Sequence, residues 1–147
     1  YVLGSSNVIP GDVLIIGSVS GKTVRPVDIA LAARELGVKV IALTSLEYSS
    51  SLKSEHSCGK RLFELADLVL DNCAPAGDAM VEVEGLDVNI CPASGMAAAY
   101  IMWALNAELV SQMMQKGMTP SVYMSINKPE GFKYNEEVRK QFMEKGY

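Results

Sequence analysis

Histidine is nearly absent from this sequence: His56 stands alone among 147 residues. Cysteine is scarce too, at 58, 73 and 91. The number is odd, no CxxC pair occurs, and one histidine leaves no zinc-ligand pattern. The cysteines read as reduced thiols of a cytoplasmic protein. Positive charge is not in excess either, with 13 Lys and Arg against 17 Asp and Glu, a net charge of −4. The basic residues are scattered apart from pairs such as Lys60-Arg61 and Arg139-Lys140. That balance argues against a nucleic-acid surface, which calls for a basic patch. Long apolar runs are missing as well. The longest, around Met96 to Leu105, is followed by Asn106 and Glu108, and a membrane span needs about 20 apolar residues. No signal peptide, repeat, low-complexity tract or linker is visible. The expectation is a cytoplasmic protein with no nucleic-acid or membrane partner, no metal and no cofactor.

What is present is a core-forming composition. Hydrophobic residues make up 49% and charged residues 20%, enough to build one domain. The run 12–18, DVLIIGS, follows Pro10-Gly11 and reads as a buried strand. Residues 25–37 read as a helix, with Pro26 in its first turn and Gly37 past its end. Residues 38–44 are a second buried strand, 59–67 a short helix, and 68–72 a third strand. Strand–helix–strand–helix–strand predicts an α/β fold with a parallel sheet, its strands covered on both faces. The segment 80–90 alternates around Glu84-Gly85 and suggests a hairpin or two short extended pieces. A long helix should run from Ser94-Gly95 to about Lys116. It is apolar on more than one face, so it is either deeply buried or part of a subunit contact. Residues 120–127 read as a last strand, and 135–146 as a polar terminal helix capped by Asn135.

The chemistry concentrates in residues 17–23, GSVSGKT, between the first strand and the first helix. A nucleotide P-loop has four residues between its first glycine and the Gly-Lys-Ser/Thr. Here there are three, Ser18, Val19 and Ser20, and no aspartate stands out as a magnesium ligand after a strand; Asp71 occupies such a place, but any strand-end Asp would look the same. The loop is therefore a poor nucleotide site but a good anion cup. It sits at the carboxyl end of a strand, where ligands of open α/β sheets bind. It leads into a helix N-terminus with unpaired N–H groups. Ser18, Ser20 and Thr23 add hydroxyls, and Gly21 lets backbone approach closely. The competing reading is a Ser/Gly turn that caps a helix.

Residues 11–45 resemble the second βαβ unit of the SIS (sugar isomerase) phosphosugar-binding domain. That unit carries a strand, the motif Ser-x-Ser-Gly-x-Ser/Thr, a helix, and a strand ending in Thr. The motif stands here as Ser18-Val19-Ser20-Gly21-Lys22-Thr23. Residues 45–72 and 120–137 further resemble SIS proteins likened to phosphoheptose isomerases, so the likeness covers most of the chain. It implies a three-layer α/β/α domain of flavodoxin-like topology spanning 1–147. It also implies that residues 18–23 hold the phosphate of a sugar phosphate, with Lys22 at a variable motif position. Ser94, at the start of the long helix, would line the sugar pocket; plain helix capping explains it equally well.

The resemblance implies one of three activities: aldose–ketose isomerisation of a sugar phosphate, non-catalytic phosphosugar sensing, or phosphosugar ether cleavage. His56 is the candidate for proton transfer or ring opening, since imidazole titrates near neutrality and lies in a long polar loop beside the strand ends. A solvent-exposed surface histidine is the alternative. Glu47 and Glu55 flank that loop as further carboxylates. The first βα unit of the family precedes the part matched here, and the chain begins at Tyr1. The resemblance thus predicts the C-terminal part of a longer protein, short of a whole domain by roughly 100 residues. An open sheet edge and a doubly apolar helix then predict a homodimer.

Overall fold

A computed structural model of the chain describes residues 3–146. The chain forms two compact units, Tyr1–Met102 and Trp103–Tyr147. The first is an α/β unit. Strands β1 (Val13–Gly17), β2 (Lys39–Thr44) and β3 (Leu68–Asp71) form a parallel sheet in the order β1-β2-β3. Register is set by Ile16 opposite Ala42 and Ala42 opposite Val69. Helix α1 (Val24–Glu35) links β1 to β2. It ends as its sequence directs, with Gly37 in the left-handed region at φ +72. Val27, Ala30 and Ala33 of α1 are fully buried against Ile16, Val40 and Ala42, and Leu62 and Leu65 complete the cluster. The fold class is therefore α/β, a parallel sheet flanked by helices.

The link from β2 to β3 differs from the expected helix over 59–67. A short helix α2 (Leu46–Ser51) comes first, and only Leu62–Glu64 makes one 3-10 turn. The backbone is the reason: Gly59 sits in the left-handed region at φ +71, and the next turn is preceded by an extended Arg61 at φ −98, ψ 167. The Arg61 guanidinium donates to the carbonyls of Ser49, Ser50 and Leu52 at the end of α2, satisfying helix-terminal acceptors. It also lies over the Phe63 ring at 4.7 Å and bonds Glu64 at 2.8 Å. That pair raises the Arg61 pKa and lowers that of Glu64.

Beyond β3, the expected hairpin forms. β4 (Ala79–Val81) and β5 (Ile90–Pro92) pair antiparallel, Val81 opposite Ile90, with Gly85 at φ +84 in the connection. Helix α3 (Ala93–Gln115) follows directly. Ala93 is its buried residue, Ala97, Ala98, Ile101 and Met102 are half-buried, and Met96, Tyr100 and Trp103 are 75%, 77% and 73% exposed. In the second unit the expected strand 120–127 is absent among the described residues, because no strand pairs with it. The side chain of Asn135 substitutes for one: Met124 N–H donates to Asn135 Oδ1 at 2.8 Å, and Asn135 Nδ2 donates to the Met124 carbonyl at 2.9 Å. Asn135 is thus not the cap of the terminal helix. That helix, α4 (Gly131–Lys145), starts four residues earlier behind Glu130.

Candidate functional site

The carboxyl ends of β1, β2 and β3 meet the start of α3 around a cleft of about 290 Å³ lined by Gly17, Ser18, Val19, Leu43, Asn72, Ser94, Gly95 and Ala98. The volume is at the lower end of the roughly 300–1,000 Å³ usual for small-molecule sites. A depression along α4, lined by Glu136, Arg139, Lys140, Met143 and Glu144, is larger. All five residues belong to one helix, so it offers a ligand no converging groups.

The loop 18–23 is strapped to β2. Ser18 N–H donates to the Leu43 carbonyl, Ser45 N–H to the Val19 carbonyl, and Thr44 Oγ1 to the same Val19 carbonyl at 3.0 Å. Ser18 Oγ accepts from Gly21 N–H at 3.2 Å, closing the turn. Gly21 holds φ +57, and a Cβ there would lie 2.9 Å from Ser49 Oγ. The loop conformation therefore demands glycine. Thr23 is the N-cap of α1 but makes no side-chain capping bond. The bonds that fix the loop leave the hydroxyls of Ser20 and Thr23 unused. With the first N–H groups of α1 they are hydrogen-bond donors left at the start of the helix, and neither Ser20 nor Thr23 lines the cleft.

Lys22 points elsewhere. Its ammonium pairs with Glu55 at 2.7 Å, and Glu55 N–H donates to the Lys22 carbonyl. The Glu55 hydrogen bond and charge hold the Lys22 ammonium above its usual pKa. His56 stands next to Glu55. Its Nδ1 accepts from Cys58 N–H at 3.0 Å, and its Nε2 lies 2.9 Å from Asp28 Oδ1. The side chain is only 12% exposed, so it is not a surface histidine. The Cys58 bond fixes the tautomer: Nδ1 is the acceptor and Nε2–H the donor to Asp28. Both ring nitrogens are engaged, and His56 does not line the cleft.

Ser94 does line it, but as more than a capping residue. Its N–H donates to Asp78 Oδ1 at 2.8 Å and its hydroxyl to Asp78 Oδ2 at 2.7 Å. Sequence reasoning missed Asn72. It is 8% exposed, at the end of β3, with Oδ1 accepting from Ala74 N–H at 3.0 Å. The available signal was positional: a polar amide closing the apolar run LVLD at the ligand-bearing end of a strand. The structure thus brings Ser18, Val19 and Ser94 together with Asn72 on one cleft. Ser20, Gly21, Lys22 and Thr23 are outside that lining; His56 lies on the neighbouring loop, which Lys22 reaches through Glu55.

Residues 1–45 match the SIS domain family model. The match includes the whole 18–23 loop and supports the SIS family for this segment. Along more of its length the chain is similar to UPF0309 proteins. It is 42% identical over 135 residues to one from Shouchella clausii, covering 92% of this chain and 55% of that protein. It is 36% identical over 143 residues to one from Listeria monocytogenes, covering 97% and 58%. A third, from Caldanaerobacter subterraneus, is 43% identical over 119 residues, covering 80% and 48%. The chain therefore spans about half the length of the relatives it matches. No helix among the described residues is long and apolar enough to cross a membrane.

Proposed function

We propose that this chain binds a sugar phosphate, with the phosphate on the 18–23 loop and the sugar in the adjoining cleft. The observation that carries this reading is the strapped, donor-rich loop at the N-terminus of α1, opening beside a cleft lined by the uncharged polar groups of Asn72 and Ser94. The SIS domain match to the same loop supports it. In this reading Lys22 and His56 hold the neighbouring loop in place, Lys22 through Glu55 and His56 through Asp28 and Cys58.

Aldose–ketose isomerisation is the reaction class this site would serve. Such chemistry needs a base beside C2. No residue lining the cleft carries a titratable side chain, so the isomerase reading takes its base from another copy of the chain or from another segment of the whole protein. Phosphosugar sensing needs no base and fits the cleft as it stands. We further propose that the exposed stripe Met96, Tyr100 and Trp103 associates with a second copy.

Replacing Ser20 and Thr23 together by Ala is expected to weaken sugar-phosphate binding by about 1–3 kcal/mol, through lost hydrogen bonds to a charged group. Calorimetry with a panel of sugar phosphates measures it; unchanged affinity in a folded double variant removes the phosphate-cup reading. Deuterium incorporation at C2 in heavy water separates turnover from sensing. Where exchange occurs, His56→Gln is expected to leave its rate within about tenfold; a 10²-fold loss would return proton transfer to His56.

A further inference from the structure

We infer that Asn72 and Ser94 act as a donor–acceptor pair that reads sugar hydroxyls, and that Asp78, outside the cleft, sets the sense of the pair. The inference rests on the phosphosugar reading and adds what selects the sugar. Asn72 is more than nine-tenths buried and lines the cleft. Ala74 N–H donates to its Oδ1, so the amide is oriented by its network and its Nδ2 is the end left over. No bond within the chain uses that Nδ2 among the described residues. Ser49 Oγ is the one fully buried side-chain polar atom without a partner among the described residues, so Asn72 Nδ2 opens onto the cleft, where a ligand oxygen can take the place of water. Asn72 is the donor.

Ser94 is the acceptor. A carboxylate only accepts hydrogen bonds, so the 2.7 Å contact to Asp78 Oδ2 commits the Ser94 proton to Asp78. The lone pairs of Ser94 Oγ are then free for a ligand hydroxyl. Asp78 is locked in this role from both ends. Its carbonyl accepts from Ala93 N–H, and its other carboxylate oxygen accepts from Ser94 N–H, both at 2.8 Å. Its backbone sits at φ +69, a left-handed conformation that Asp tolerates better than most residues. A phosphate dianion has no proton to give Ser94. A sugar hydroxyl gives one to Ser94 and accepts one from Asn72. The pair therefore favours the polyol part of the ligand over the phosphate. Asp78 is a positioning residue, acting through Ser94.

The test titrates the full chain calorimetrically with inorganic phosphate and with a panel of pentose, hexose and heptose phosphates. The wild-type chain is expected to bind its best sugar phosphate at least about tenfold more tightly than inorganic phosphate, two hydrogen bonds' worth. Asp78→Asn keeps an acceptor for Ser94 N–H and tolerates the same φ, but its amide donates to Ser94 Oγ. The serine proton then turns to the cleft. Sugar-phosphate affinity should fall about tenfold while inorganic phosphate affinity holds. Ser94→Ala should lose as much, and adding Asp78→Asn to it should lose no more. Asn72→Ala should lose the sugar preference independently. Circular dichroism and melting temperature report folding; should Asp78→Asn not fold, Ser94→Ala and Asn72→Ala decide. A variant that keeps the sugar preference, or loses both ligands equally, overturns the inference, as do additive losses in the Asp78/Ser94 pair. A wild type that binds phosphate without sugar preference overturns the inference alone. One that binds neither overturns the phosphosugar reading with it.

Discussion

One face of the β1–β2–β3 sheet carries a closed core, and the other does not. By register, Leu14, Ile16, Val40, Ala42 and Val69 share the first face, and they pack with α1, Leu62 and Leu65. Val13, Ile15, Ile41 and Leu68 share the second. Leu43 is buried there, but Val13 is 58% and Leu68 52% exposed. The two faces are built from the same kinds of residue. The first is closed by elements lying between its own strands in sequence, α1 and the turn at Leu62–Glu64. Such closure costs little loop entropy. The second has no equivalent local cover, and α3 likewise leaves Met96, Tyr100 and Trp103 in solvent. Exposed apolar surface of this kind is the physical basis of the association proposed above.

The largest expected effect tests the comparison directly. Leu62→Ala, on the closed side and fully buried, should cost about 2–5 kcal/mol in denaturant unfolding. Leu68→Ala, on the open face, should cost less than about 1 kcal/mol. Equal losses would show that the second face is closed too. Tyr100→Glu should leave stability unchanged yet lower the associated fraction in light scattering; a wild type that scatters as a monomer at every concentration refutes the association.

A smaller contrast comes from two glycines with positive φ. A Cβ on Gly21 would lie 3.3 Å from Leu62 Cβ and 3.4 Å from Thr44 Oγ1, as well as against Ser49. Gly21→Ala should therefore destabilise by about 2–4 kcal/mol, backbone strain plus overpacking. Gly117, at φ +75 after α3, has nothing within 4 Å. Its replacement by Ala should cost about 1–2 kcal/mol, from strain alone. Indistinguishable melting temperatures for the two variants would contradict the packing assigned to the 18–23 loop.

The smallest effect is electrostatic, at the amino edge of the sheet. Asp67 accepts from Val40 N–H and from Lys39 Nζ, both at 2.9 Å. These bonds, the backbone one first, lower its pKa below the ordinary 3.8. A depressed carboxyl stabilises the fold above its unfolded-state pKa, and that stabilisation is lost as pH falls through the folded-state value. The stability gap between wild type and Asp67→Asn should thus be constant from neutrality to about pH 5 and close below 3.8. A gap that persists at lower pH would assign it to packing instead.

Much of this was legible in the sequence. The runs at 13–17, 39–44 and 68–71 are short and continuously apolar, so strand was the only economical assignment. Gly37 ended α1, and the strand–loop–helix order placed the Ser/Gly loop 18–23 at the carboxyl end of β1 through backbone chemistry that needs no distant partner. The tertiary structure decided everything that depends on contacts distant in sequence. Arg61 reached back to the end of α2 from an extended backbone, where a helix was expected. Asn135 bonded Met124 eleven residues away and ceased to be a cap. His56 found Asp28 on α1 and Cys58 in its own loop, so both ring nitrogens were engaged. Asn72 and Ser94 came to one cleft although 22 residues separate them in the numbering, and Asp78 came to Ser94 from outside it. Local patterns follow from the periodicity and conformational limits of each short segment. Which polar groups end up as partners follows only from where the folded backbone brings them, because a buried donor or acceptor takes the nearest group that satisfies it.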